Sequence, residues 1–195
     1  MSVARSLTLA DVAVPRSSVL TNVLLVVAAS LVTAGAAQLE IRLAWTPVPI
    51  TGQTFAVLLS GIVLGARRAF LAQCLYLLEG ACGLPFFAGG AAGLVRLAGP
   101  TGGYLLAFPF AAAVTGAFAE RAWDRKPVTL LLAMLAGSVV IFALGLAQLS
   151  RFVPAGSLLS AGLLPFLPGD IVKSLLAAGV FPVIWKFASR PGGAA

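Results

Sequence analysis

Two charged side chains interrupt the last apolar stretch of the chain. Asp170 and Lys173 lie three residues apart in LPGDIVKSLLA, residues 167–177. On a helix this spacing places both on one face, and charges within a membrane segment are costly enough to be functional candidates by default. The carboxylate can accept N–H bonds and the ammonium can bind an anion, so the pair predicts a site for a small, partly apolar ligand with a carboxylate. The competing interpretation is an Asp favoured by the helix dipole and a Lys that pairs with it.

Three more polar side chains are candidates for the same site. Gln53 opens a predicted helix, and its amide can both donate and accept, although a helix cap or solvent contact explains it equally well. Tyr104 follows two glycines and could stack on a ligand, but tyrosine is also common at the membrane interface. Arg96 is the cation of a long Gly-rich loop, where simple exposure is the favoured interpretation. Glycines there would let the backbone approach a ligand closely: Gly89, Gly90, Gly93, Gly99, Gly102 and Gly103.

The composition decides which elements position these residues. Of 195 residues, 60% are apolar and 10% are charged, whereas soluble domains average roughly 25% charged residues. The apolar side chains must therefore face lipid, which excludes a soluble enzyme or a nucleic-acid binder. The chain has no His, its cysteines Cys74 and Cys82 form no CxxC, and it has no GxxxxGK phosphate loop. We therefore expect no catalytic residues, no metal and no cofactor.

Four uncharged runs of 23 or 24 residues are each long enough for one crossing, and the distribution of cations extends the prediction to an all-α integral membrane protein with six transmembrane helices. The net charge of +7 comes from 13 cations and 6 acidic residues. With both termini in the cytoplasm, nine cations fall in inner segments and three in outer loops, as the positive-inside rule requires. A five-crossing chain is the alternative, because the second and third helices look short. The predicted helices lie near 18–38, 54–66, 68–82, 101–121, 127–149 and 168–187.

The Pro- and Gly-rich stretches all fall on the outer side in this topology. They cover 45–53, 80–103 and 154–169, and they are strongly apolar, which free loops rarely are. Irregular backbone at membrane depth is tolerated where it lines a cavity, so we expect these outward-facing loops to close a substrate pocket. Ordinary solvent loops are the alternative. The chain forms one transmembrane substrate-binding domain, 1–195, with a cytoplasmic N-terminus at 1–16 and a flexible tail at 190–195.

The first helix carries small residues four positions apart. Ser30 and Ala34 form one such pair, and Thr33 and Ala37 form another. Small residues at this spacing let helices approach closely in lipid. The pattern fits internal packing or docking of a partner membrane subunit, and spacing does not separate the two.

Four segments resemble the signature segments of the BioY family, the biotin-binding S components of energy-coupling factor (ECF) vitamin transporters. They are VPITGQTFAVLLSG (48–61), GLPFFAGGAAG (83–93), GPTGGYLLAFP (99–109) and LPGDIVKSLLA (167–177). The resemblance implies a multi-pass protein of the bacterial inner membrane with a biotin site near the outer face. It also implies that Asp170 and Lys173 contact the ligand while the loop 83–103 closes over it.

The chemistry of biotin suggests a role for each candidate. Asp170 would bind the ureido N–H groups, and Lys173 or Arg96 the carboxylate. Phe86, Phe87 or Tyr104 would contact the apolar body. The resemblance further implies a transmembrane coupling subunit and ATP-binding subunits as partners. The alternatives are an S component for another vitamin or metal, a stand-alone proton-coupled transporter that uses Asp170, and a noncatalytic assembly subunit. A second copy of the chain, in a homo-oligomer, is a further candidate partner.

Overall fold

The chain folds into a bundle of long apolar helices joined by short connections. The computed structural model describes residues 6–14 and 18–188. The expected N-terminal region 1–16 lies only partly within these residues, and the expected tail at 190–195 lies outside them. The described helices are α1 (Leu9–Ala13), α2 (Val19–Ala37), α3 (Gln53–Leu64), α4 (Ala66–Ala81), α5 (Val95–Ala98), α6 (Gly102–Ala119), α7 (Pro127–Leu149), α8 (Leu158–Gly162) and α9 (Leu167–Ala188).

The six predicted ranges locate the long helices closely. Each predicted range lies within two residues, at either end, of the observed α2, α3, α4, α6, α7 or α9. Within the described residues, four apolar helical stretches are long enough to cross a membrane, namely Val19–Ala37, Gly102–Ala119, Pro127–Leu149 and Ala155–Phe187. The structure adds three short α-helices and three 3₁₀ turns, Ala88–Gly90, Trp123–Arg125 and Ala155–Ser157.

The structure adds one short β-hairpin to this mostly helical fold. Residues Glu40–Ile41 (β1) and Ile50–Thr51 (β2) pair antiparallel, with Glu40 opposite Thr51 and Ile41 opposite Ile50. Pro47 and Pro49 lie in the intervening segment and lack the N–H that a helix interior needs. The connection between α2 and α3 therefore turns back on itself as an extended hairpin.

Helix α6 is the centre of the bundle and packs against α3, α4 and α7. The contacts are backbone to backbone where glycines allow it. A Cβ on Gly61 would lie 1.9 Å from Thr115 Oγ1, and one on Gly116 would lie 2.4 Å from Ala66 N. Helix α9 packs mainly on α7 and touches α3 and the 3₁₀ turn Trp123–Arg125. Small residues thus hold the helices together in lipid by close approach.

The small residues of α2 face the interior of the chain. Ser30, Thr33 and Ala37 are fully buried and Ala34 is 5% exposed. Gln73 Nε2 on α4 donates to Thr33 Oγ1 at 3.1 Å. Of the two interpretations of this stripe, the structure supports internal packing.

The two ends of the bundle differ in charge. At one end, Arg68 Nη1 lies 2.7 Å from Asp11 Oδ1, and Glu120 Oε1 accepts the N–H of Ala66 at 3.0 Å. Trp185 Nε1 donates to Asp124 Oδ2 at 2.5 Å at the same end. Six cations lie on these tight connections or beside them: Arg67, Arg68, Arg121, Arg125, Lys126 and Lys186. The opposite end holds the hairpin and the irregular segments.

Candidate ligand-binding site

A cavity of about 360 Å³ opens at the end of the bundle that holds the irregular segments. Its volume lies at the lower end of the range for small-molecule sites, ~300–1,000 Å³. The hairpin and helices α3, α5, α6, α7 and α9 all contribute to its lining. The expected pocket is therefore present, and each of the three Pro- and Gly-rich stretches supplies part of its wall.

Side-chain hydrogen bonds fix each of the three stretches to another part of the fold. Thr46 Oγ1 in the hairpin donates to Ala161 O at 2.6 Å. Gln38 holds the segment after α4, since its Oε1 accepts Gly90 N–H at 3.1 Å and its Nε2 donates to Phe87 O at 3.4 Å. Gln148 Nε2 on α7 donates to Leu97 O and Gly99 O at 2.9 and 2.8 Å. The loops are thus anchored to the helices by hydrogen bonds rather than free in solvent.

Asp170 and Lys173 both line this cavity from the first two turns of α9. Pro168 lies at the start of the helix, where its missing N–H is not needed, and Asp170 follows in the first turn, where a carboxylate is favoured by the helix dipole. Asp170 is 8% exposed. Ser138 Oγ on α7 lies beside its carboxylate, yet it hydrogen-bonds to no atom of the described residues.

The Lys173 ammonium forms a hydrogen bond with a backbone carbonyl rather than with Asp170. Its Nζ donates to the carbonyl oxygen of Thr51 in β2 at 2.9 Å, and no direct ion pair joins these two described side chains. The interpretation of Lys173 as the partner of Asp170 is therefore not supported. The carboxylate remains an acceptor on the cavity wall, and the ammonium keeps two of its three donors.

Gln53 and Tyr104 line the cavity but are largely occupied by internal contacts. Gln53 Oε1 accepts from Thr51 Oγ1 at 3.0 Å, and Gln53 Nε2 donates to the Tyr76 hydroxyl. The Tyr104 hydroxyl donates to Gly162 O at 2.8 Å. Both residues are buried, so each mainly forms part of the cavity wall, and only the part of its side chain that faces the cavity can contact a ligand.

The loop residues divide into two groups. Arg96 on α5 and Phe87 line the cavity, Arg96 as an exposed cation and Phe87 as a buried ring packed edge-on against Tyr76. The other predicted loop residues lie outside the lining: Phe86, Gly89, Gly90 and Gly93. The three glycines have φ of 66°, 71° and 92°, which only glycine adopts readily, so the turn of the loop itself requires them.

Two charged residues of the lining are missing from the sequence-based candidates. Glu40 and Arg42 line the cavity and form an ion pair with Arg42 Nη2 2.7 Å from Glu40 Oε1. Gly89 packs against this pair, because a Cβ there would lie 2.3 Å from Arg42 Nη2. In the sequence these residues only mark the ends of uncharged runs. Nothing in their spacing points to the fold-back of the hairpin.

The remaining lining is apolar and aromatic. Phe108 on α6, Ile141 and Phe142 on α7, and Phe166 before α9 contribute to it. No group of three or more metal-ligating side chains occurs within the described residues. The site thus combines a buried carboxylate, three cations and an apolar wall, which suits recognition of a small amphiphilic molecule. These features define a membrane-embedded protein that binds a small ligand.

Comparison with known proteins gives the family. The model of the BioY family matches residues 7–190. "Biotin transporter BioY" of Rhizobium etli is 40% identical over 146 residues, which cover 71% of this chain and 78% of the relative. "Probable biotin transporter BioY" of Pyrococcus horikoshii is 40% identical over 138 residues, 71% of this chain and 81% of that one. The chain belongs to the BioY family, and it is a multi-pass membrane protein.

The fold is also that of a solved structure. It superposes with a TM-score of 0.75 on the crystal structure of "the S-component for biotin from an ECF-type ABC transporter". The match covers 86% of this chain and 92% of that one at 24% identity. The curated relatives are named as transporters and not as enzymes, in agreement with the expectation from the sequence.

Proposed function

We propose that this protein is the biotin-binding S component of an ECF-type transporter and that it captures biotin for uptake. The observation that carries the proposal is the position of Asp170 and Lys173, which lie near each other on the wall of the cavity at the start of α9. The Asp170 carboxylate can accept from the two N–H groups of a ureido ring, and the Lys173 ammonium can donate to a carboxylate. The names of the relatives that share the family agree with this ligand.

The remaining contacts follow from the lining. The aromatic side chains Phe87, Tyr104 and Phe166 form the apolar wall for the thioether ring and the valerate chain. Lys173 and Arg96 are the predicted partners of the carboxylate. The exposed position of Arg96 favours it for this role, because Lys173 already donates to Thr51 O. Phe86 lies outside the lining and has no part in this assignment.

The same proposal includes the topology. Helices α2, α3, α4, α6, α7 and α9 form six crossings of the inner membrane, with both termini in the cytoplasm and residues 1–195 as one domain. Six described cations gather at the end opposite the cavity, whereas Arg42, Arg96 and Arg151 lie at the cavity end. This asymmetry supports a cavity that opens to the outside.

Energy for uptake comes from partner subunits in this proposal. The chain has no GxxxxGK loop with which to bind nucleotide. Its likeness in fold to a subunit of an ECF-type transporter supports coupling to a transmembrane subunit and ATP-binding subunits. Binding alone is then the task of this chain.

Equilibrium binding of labelled biotin to purified protein tests the proposal. Asp170→Asn and Lys173→Ala should each weaken binding at least tenfold, because a hydrogen bond to a charged group contributes ~1.5–3 kcal/mol. Lys186→Ala is the matched control, since it removes a cation from the other end of the same helix. Wild-type affinity in both cavity variants, or tighter binding of another vitamin in a competition screen, would contradict the assignment.

A further inference from the structure

A second concave surface lies on the outside of the bundle, between α6 and α7. It is a groove of about 330 Å³ that is separate from the binding cavity. Gly103, Leu106 and Phe110 form one side, and Leu144, Ala147, Gln148 and Arg151 form the other. The spacing on each helix follows one face, so the groove runs along the helix axes from the membrane surface inward.

The groove is open and apolar along its length. Leu106, Phe110 and Leu144 are 44%, 54% and 42% exposed. Gly103 forms the floor, because a Cβ there would lie 2.3 Å from Leu144 O. From Leu144 to Arg151 the groove descends roughly 10 Å at 1.5 Å per residue, which is most of the depth of one leaflet, about 15 Å.

A single cation lies at the mouth of this groove. Arg151 lies two residues beyond the end of α7, is exposed, and forms no ion pair with any described residue. Residues 80–119 and 125–169 contain no Asp or Glu, so the chain around the groove offers this guanidinium no carboxylate. The partner that complements the groove therefore carries its own anion at the membrane surface and an apolar chain below it.

We propose that the α6–α7 groove binds one anionic phospholipid, with the phosphate at Arg151 and an acyl chain along Leu144, Leu106 and Phe110. The guanidinium recognises phosphate oxygens through paired N–H donors. Gln148 lies beside the mouth, where its amide already fixes the backbone at Leu97 and Gly99. The lipid would thus pack directly against the residue that holds the rim of the cavity.

Lipid retention tests this site in the full chain. The protein is reconstituted with equal amounts of phosphatidylglycerol and phosphatidylcholine, extracted in mild detergent, and analysed by native mass spectrometry. Wild-type protein should retain one phosphatidylglycerol in preference to phosphatidylcholine. Arg151→Gln should lower that preference about fivefold, the contribution of one cation to anionic-lipid binding. Ala147→Phe, which fills the groove, should lower retention of both lipids. Lys126→Gln, at the other end of α7, should match wild type.

Other outcomes would overturn the proposal. Equal retention of the two lipids by wild-type protein excludes headgroup recognition. The same loss in Lys126→Gln and Arg151→Gln would show a bulk effect of surface charge. A dimer that disappears in Ala147→Phe would make a second copy of the chain the occupant. Melting of wild-type protein gives an independent measurement: phosphatidylglycerol should raise the melting temperature more than phosphatidylcholine, and equal effects would refute the site without any variant.

Discussion

Removal of the Tyr104 hydroxyl tests whether this group stabilises the cavity wall or binds the ligand directly. In Tyr104→Phe, the donor to Gly162 O at 2.8 Å is lost, while the ring that packs against Gly145 remains. Tyr104 is only 7% exposed, so water does not readily replace the lost bond. Hydrogen bonds between membrane helices average ~0.6 kcal/mol and reach ~1.7. We therefore expect a loss of about 1 kcal/mol, or a melting temperature lower by ~2–4 °C.

Thermal unfolding and equilibrium biotin binding of the same purified variant provide the assay. The dissociation constant should stay within about threefold of wild type, since the aromatic wall is unchanged. Tyr76→Phe is the comparison for stability: its buried hydroxyl accepts from Gln53 and donates to Phe86 O, so its melting temperature should fall at least as far. A tenfold weaker affinity of Tyr104→Phe with an unchanged melting temperature would refute the reasoning, because the hydroxyl would then bind the ligand directly.

Three further perturbations test the hydrogen-bonded wall and the charged end. Gln38→Ala frees the segment after α4 and should speed biotin release about fivefold, the equivalent of ~1 kcal/mol of hydrogen bonding, measured by dissociation of labelled ligand. Burial alone would raise the pKa of Asp11, but hydrogen bonds from Thr8 and Arg68 outweigh this effect and lower the pKa. Docking of α1 should therefore weaken as the pH falls below the ordinary Asp range, and proteolysis of the N-terminal segment would detect the change. Arg68→Gln should weaken the docking of α1 already at neutral pH. Burial raises the pKa of Asp124, and the Trp185 N–H partly opposes this shift. The melting temperature should therefore fall as the pH rises through that pKa. Trp185→Phe removes the opposing contact and should make this decline steeper.

Each of these has a result that contradicts it. An unchanged release rate in Gln38→Ala would mean that the loop is held by other contacts. Equal cleavage of the N-terminal segment at pH 3 and pH 7 would exclude a role for the ionised Asp11 carboxylate. A pH profile of Asp124→Asn that is as steep as that of wild type would assign the dependence to another group.

The positions of the long helices were predictable because charge is expensive in a bilayer. Long helices lie in the runs without charge, and residues such as Arg67 and Lys126 mark the ends of those runs. The pairing of Asp170 with Lys173 on one wall followed from the helical period alone. The hairpin was not predictable, since Glu40–Ile41 and Ile50–Thr51 are too short to show an alternating pattern.

The hydrogen-bond partners of the site residues within the protein were not predictable either, because no local sequence pattern indicates them. Gln53 meets Tyr76, and Tyr104 meets Gly162, across 23 and 58 positions of sequence that carry no local signal. The buried face of α2 shows the same limit, because spacing identifies small residues while only packing shows that Ser30 and Thr33 meet the chain itself. Local rules thus locate polar groups, and tertiary contacts decide which of them a ligand can use.

The hydrogen bond from Lys173 to Thr51 keeps Lys173 from forming a direct ion pair with Asp170. A direct ion pair with Asp170 in this buried setting would be strong, and a ligand would have to break it. Because Lys173 donates instead to a backbone carbonyl of β2, no ion pair between these two side chains has to be broken before a ligand can bind to the Asp170 carboxyl group. The same bond ties α9 to the hairpin, and Thr46 ties the hairpin to α8. These two bonds connect α9, the hairpin and α8, so in the proposed site a ligand that contacts Lys173 would act on two of the three irregular segments around the cavity.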